Sequence, residues 1–199
     1  MNLNLEKKLW QKGYKYILGL DEAGRGALAG PIVAGGVIFS KKILKKKIKG
    51  INDSKLLSPK KREELFEIII KNSVCFGMAK VSEKTIDKLG INKANELVFK
   101  RLIKKLNKKP DFILIDGKIN LKNLKIPYLS IVDADAKVFS CAAASILAKV
   151  FRDRLMVNLS KKFPNYNFEK NKGYPTKKHY LLLKKYGISP CHRKSFRLK

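Results

Sequence analysis

Acidic residues are scarce in this sequence, and five of them stand where chemistry could be done. Asp21 and Glu22 follow the apolar run Tyr16-Ile17-Leu18-Gly19-Leu20, and Asp116 follows Phe112-Ile113-Leu114-Ile115. Asp133 and Asp135 follow a third apolar stretch at residues 127–132. Short apolar runs bounded by turn signals read as strands. The ends of separate strands can converge on one edge of a sheet. Three or four carboxylates gathered there form a hard-oxygen site for Mg2+ or Mn2+. Two such cations roughly 4 Å apart can hold the attacking and leaving oxygens of an in-line displacement at phosphate. Without a cation, mutual repulsion makes the cluster costly. Each acid taken alone reads as an ordinary strand cap. The Asp21-Glu22 pair taken with Asp116 and Asp135 reads as a metal site.

Beside the first acids lies a glycine-rich turn, Gly24-Arg25-Gly26-Ala27-Leu28-Ala29-Gly30. It loosely mimics a dinucleotide fingerprint. A strand follows it where that motif needs a helix, and Asp21-Glu22 would repel a pyrophosphate. The glycines read instead as a tight turn, as a place where bare backbone approaches a sugar-phosphate, or as both.

The elements that must position these residues follow from periodicity. Strands are expected at 16–20, 32–39, 73–81, 112–115 and 127–132. Helices are expected from Ser58-Pro59 to about 71, at 92–106, from about 137 to 159 and at about 176–185. Residues 41–49 are lysine-rich and read as a solvated loop. The order suits one α/β domain, a mixed β-sheet flanked by helices with a helical C-terminal part. That domain is expected over residues 14–199, with 1–13 a short N-terminal extension in which Trp10 is a packing anchor.

Composition bounds the partner. The chain has 199 residues, 45% of them hydrophobic, enough for a real core and against a disordered or collagen-like chain. Its formal net charge is +29, which points to a polyanion such as nucleic acid. Only seven of the basic residues are arginine, so part of the lysine excess also reads as compositional drift. Cys75, Cys141 and Cys191 are few and far apart, which fits a reducing cytoplasm and neither a disulfide framework nor a zinc site. No secretory signal and no membrane span is expected.

These motifs together resemble a known family. Leu20-Asp21-Glu22-Ala23-Gly24-Arg25-Gly26, followed by Leu28-Ala29-Gly30-Pro31, resembles the first motif of type 2 ribonucleases H, specifically the bacterial ribonuclease HII family. The match continues at Asn52-Asp53-Ser54-Lys55-Leu56-Leu57-Ser58, at Ile115-Asp116-Gly117 and at Asp135-Ala136-Lys137. It resumes in the Ala142–Lys149 stretch with Arg152-Asp153, at Lys172-Gly173-Tyr174-Pro175-Thr176 with His179, and at Ser189-Pro190 with His192-Arg193 and Ser195-Phe196. The resemblance covers about residues 14–196.

The resemblance implies a ribonuclease H-like fold. It implies a monomeric metal-dependent endonuclease that hydrolyses the RNA strand of RNA/DNA hybrids and incises 5′ of ribonucleotides embedded in duplex DNA, leaving 5′-phosphate and 3′-hydroxyl ends. The family's four metal-binding acids map onto Asp21, Glu22, Asp116 and Asp135. Its turn that reads the ribose 2′-hydroxyl maps onto Gly24, Arg25 and Gly26, and its sugar-stacking tyrosine onto Tyr174. Ser54 and Lys55 fall where the family contacts backbone phosphates. The family register selects Asp135 over Asp133, which caps its strand or adds charge. Arg25 fits ribonuclease HII better than HIII, where a lysine is usual. His179 and His192 read as structural or tail-packing residues. Two rival readings stay open: another nuclease or recombinase of this fold, and a non-catalytic basic nucleic-acid-binding protein.

Overall fold

The computed structural model describes residues 3–45, 48 and 50–198. In chain order the elements are α1 (Asn4–Gln11), β1 (Ile17–Ala23), β2 (Ile32–Ile38), α2 (Pro59–Asn72), β3 (Cys75–Val81), α3 (Glu83–Leu89), α4 (Ile91–Lys105), β4 (Phe112–Asp116), β5 (Tyr128–Ile131), α5 (Ala134–Lys137), α6 (Phe139–Lys162), α7 (Phe168–Asn171) and α8 (Lys177–Tyr186). The five strands form one mixed sheet in the order β3-β2-β1-β4-β5. β1 runs antiparallel to β2 and parallel to β4, and β4 is parallel to β5.

Alternation along β1 divides its side chains between the two faces. Ile17 joins the core under α6, with Val37 and Leu114. Leu18 and Leu20 join the core under α4, with Val98, Phe99 and Leu102. α6 is apolar around its first turns and is buried there on every side, from Phe139 to Ala148. It presses directly onto sheet backbone. A Cβ at Gly19 would stand 2.3 Å from the Ser140 carbonyl carbon, and one at Gly35 2.4 Å from the Ala144 carbonyl oxygen. Side chains at these two positions would push the helix away from the strand that carries Asp21.

The structure differs from the sequence reading in local ways. Residues 41–45 are not a solvated loop: they form a 3-10 turn with Ile43 buried, while residues 46, 47 and 49 lie outside the described part. α3 was not expected; Ser82 caps it by accepting from the Thr85 amide. α1 packs onto the core through Leu9 and Trp10. Its Glu6 carboxylate accepts from the Ser140 amide, at 2.8 Å, and so caps the start of α6.

Candidate active site

β1 and β4 are parallel neighbours, and Leu20 pairs with Ile115. The next residue on each strand is an aspartate, so Asp21 and Asp116 emerge side by side on the face that α6 covers. The third acid arrives differently from expectation. β5 ends at Ile131, and Asp135 lies inside the single turn α5 rather than at a strand end. Asp133, in left-handed conformation at φ 57°, reverses the chain. The Ala134 amide then donates to the Asp116 carboxylate, which docks the turn. One carboxylate oxygen from each of Asp21, Asp116 and Asp135 lies within 4.8 Å of the other two. Asp133 is not among them. It points outward toward Lys137, at 4.0 Å.

This wall is electrostatically unsatisfied. Burial pushes the Asp21 carboxyl well above the usual carboxylate range, and the neighbouring Glu22 and Asp116 charges push it further. Burial also raises Glu22, partly offset by the Arg25 guanidinium 3.8 Å away. Asp116 is raised by burial and then by Asp135. A cluster of hard oxygens that resists ionising is the donor set a divalent cation fits.

A second segment closes over it. Asp53 caps the 3-10 turn Ser54–Leu56 by accepting from the Lys55 amide. Burial works against the Lys55 charge, yet its pKa is raised, because the ammonium sits 3.1 Å from the Asp135 carboxylate. Ser54 shares a 2.8 Å hydrogen bond with Ser145 of α6, beside Asp21. The resulting cleft, about 490 Å³, is lined by Asp21, Glu22, Asp116, Ser54, Lys55 and Tyr174 together with the 24–26 turn.

The opposite wall is tied together by hydrogen bonds from two buried arginines. Arg193, completely buried, donates to the carbonyls of Gly24, Arg25 and Gly30 at 2.7–3.0 Å. Arg152, equally buried, donates to the carbonyls of Ala29, Pro31 and Lys172 at 2.9–3.1 Å. The Tyr174 ring has the Arg152 guanidinium 5.0 Å and the Lys149 ammonium 5.3 Å from its centroid. The two turn glycines have different reasons to be glycine. Gly24 has φ +92°, and a Cβ there would stand 2.0 Å from Arg152 Nε. At Gly26 a Cβ would meet nothing, although the residue lines the cleft.

The Ribonuclease HII family model matches residues 18–199. The chain belongs to the ribonuclease HII family. It is 48% identical over 192 residues to Ribonuclease HII of Caldicellulosiruptor saccharolyticus, covering 96% of this chain and 92% of that protein. The fold matches the crystal structure of the ribonuclease H2 from Pyrococcus horikoshii OT3 with a TM-score of 0.78 at 30% identity, covering 92% and 94% of the two chains. It also matches the Bst-RNase HIII structure in complex with Mn2+, TM-score 0.70, covering 92% of this chain and 68% of that one. At 18% identity that likeness speaks for the fold alone. The chain is therefore a ribonuclease H, and the mixed sheet flanked by helices is the ribonuclease H-like fold.

As a member of the ribonuclease HII family, the chain brings all ten of its expected site residues to the cleft or its rim. Asp21, Glu22, Asp116, Gly24, Arg25, Gly26, Ser54, Lys55 and Tyr174 line it, and Asp135 holds Lys55 from beneath. Arg25 also donates to Asn92 at 2.8 Å, which steadies it over Glu22. The sequence reading gave no role to Ser145, Lys149, Arg152 or Arg193. Ser145 had a usable signal, a hydroxyl inside an alanine-rich buried helix that needs a polar neighbour. The arginines had none, because their carbonyl partners are set by loop geometry. No helix among the described residues is long and apolar enough to cross a membrane.

Proposed function

We propose that this ribonuclease H cuts the RNA strand of RNA/DNA hybrids and nicks duplex DNA on the 5′ side of an embedded ribonucleotide. The observation that carries the reading is the convergence of Asp21, Asp116 and Asp135 from three separate elements, within 4.8 Å, in a cleft whose far side is the 24–26 turn and Tyr174. Asp21, Glu22, Asp116 and Asp135 would hold Mn2+ or Mg2+. A bound cation there supplies Lewis acidity, lowering the pKa of water and offsetting phosphate charge.

The chain's own residues do the rest. Lys55 stands at the cleft mouth where a backbone phosphate arrives, and Ser54 lines the cleft below it against Ser145. The open space at Gly26 lets backbone approach a ribose closely, and Arg25, held by Asn92, stands over it. A contact to the 2′-hydroxyl there separates RNA from DNA. Tyr174 offers an aromatic surface to the next sugar. Water contributes the new P–O bond, and the bond to the 3′-oxygen breaks. The ends are 5′-phosphate and 3′-hydroxyl.

The test is duplex DNA carrying one ribonucleotide, with and without Mn2+, beside an all-DNA duplex. Incision at the ribonucleotide in metal alone, with the all-DNA control intact, is the expected result. Cutting of the all-DNA duplex would instead indicate a general nuclease of this fold.

A further inference from the structure

The two histidines set aside as structural form a directed chain with the C-terminal segment. The Ser189 amide donates to His192 Nδ1 at 2.9 Å, so that nitrogen carries no proton. The proton of His192 is therefore on Nε2, which faces His179 Nε2 at 3.1 Å. His179 accepts it, keeps its own proton on Nδ1, and donates to the Tyr174 carbonyl at 2.9 Å. Both rings are buried, at 1% and 0% exposure, and the chain requires both to be neutral. The adjacent residue, Arg193, holds the carbonyls of Gly24 and Arg25. The same segment pairs with the turn through the Gly30 amide and the Cys191 carbonyl, at 2.8 Å. Asp87 anchors the following residues by accepting from the Lys194 and Ser195 amides.

One short strap thus grips the 24–26 turn directly through Arg193 and reaches the Tyr174 backbone through His192 acting on His179. We propose that residues 189–193 are positioning residues for ribonucleotide recognition: they fix the gap between the 24–26 turn and Tyr174, and through it the preference for a lone ribonucleotide in DNA over continuous RNA. This rests on the proposed substrate contacts of those two elements. A junction is read by the turn and by Tyr174 at once, so it is sensitive to their spacing. A continuous hybrid can shift along the cleft until a productive register is found.

The readout is the ratio of kcat/KM on a single-ribonucleotide duplex to kcat/KM on an RNA/DNA hybrid. Loss of folded protein alone scales both rates and leaves the ratio still. His179→Gln keeps an amide at the position of Nε2 and vacates the bond to Tyr174. His179→Asn keeps a donor at the position of Nδ1 but loses the bond to His192, and so cuts the strap at its other end. The ratio should fall about tenfold or more in His179→Gln and in Arg193→Lys, since small misplacements of positioned groups cost up to about a hundredfold. It should fall in His179→Asn as well, because His192 then no longer reaches the Tyr174 carbonyl. Tyr174→Ala sets the scale. A ratio that falls in Tyr174→Ala but stays at wild type in His179→Gln and Arg193→Lys overturns the strap. A ratio unmoved in Tyr174→Ala overturns the substrate contact beneath it. Arg193→Lys keeps the buried charge, and its ratio decides the matter if His179→Gln does not fold.

Discussion

The two walls of the cleft are built on opposite principles. The carboxylate wall gathers like charges, buries Asp21, and leaves the carboxyls of Asp21, Glu22 and Asp116 harder to ionise than they are in water. The turn wall also buries charge, in Arg152 and Arg193, but gives each guanidinium three carbonyl acceptors. A buried charge with three carbonyl acceptors holds its surroundings in one arrangement. A cluster of like charges only partly offset by Lys55 and Arg25 persists because a rigid sheet and helix hold it. The first wall is destabilised in a way that a cation relieves. The second is complete before any ligand arrives. On the proposed function, chemistry belongs to the former and recognition to the latter.

The sharpest way to break that division is at Asp116. Asp116→Asn keeps the shape and the oxygen that accepts from Ala134, but removes one of the three clustered charges. Cleavage should fall by at least about a thousandfold, as for loss of a principal charge-stabilising group. Binding to a single-ribonucleotide duplex in Ca2+ or chelator should change less than about threefold, because the turn wall is untouched. Equal loss of binding and cleavage would show that the carboxylate wall also recognises.

The paired glycines sharpen the comparison from the other side. Gly24→Ala forces a Cβ into Arg152 at φ +92° and should cost about 3 kcal/mol or more of unfolding free energy in urea. Gly26→Ala meets no protein atom and should leave stability within about 0.5 kcal/mol. It should still slow ribonucleotide incision about ten- to hundredfold by crowding the sugar. A Gly26→Ala enzyme with wild-type kinetics would remove the backbone approach from the recognition scheme.

How much of this was legible beforehand follows from what holds each part. The strands bearing Asp21 and Asp116 showed in their apolar runs, because burial on both faces leaves a continuous hydrophobic signature. α2 began where Ser58-Pro59 marks it, with Ser58 accepting from the Lys61 amide. Family register chose Asp135 over Asp133, and Asp135 is the one that lies beside Asp21 and Asp116. Its place in a one-turn helix depends on the left-handed backbone at Asp133, which no periodicity reveals. α3 went unread because seven residues, with Ile86 alone buried, carry too short a pattern. The strap was invisible for a different reason. Its bonds join residues 24–30, 172–174 and 189–193, and nearly all end on backbone carbonyls, which every sequence has.

The smallest expected effects concern stability, where the two walls should respond to pH with opposite signs. Burial, and then the neighbouring His179, pushes His192 from 6.5 down to about 4. Its surroundings are Ser189, Cys191, His179 and the rings of Tyr166 and Phe168, with no carboxylate among them. Above pH 6.5 both folded and unfolded states hold it neutral. Between 6.5 and 4 only the unfolded state takes up the proton, so stability falls as pH falls, by roughly 3 kcal/mol in all. For Asp21 the folded value is raised, so the sign reverses: stability is present below the ordinary value of 3.8 and is lost as pH rises through the folded value. In wild type the two trends oppose each other. His192→Gln in chelator should flatten the acid-side loss and leave the carboxylate trend exposed. Asp21→Asn should gain about 1 kcal/mol at neutral pH without metal, while losing the increase in Tm that Mn2+ gives wild type. If Asp21→Asn is instead less stable than wild type in chelator, the carboxylate wall is not strained, and the contrast between the walls collapses to one of charge alone.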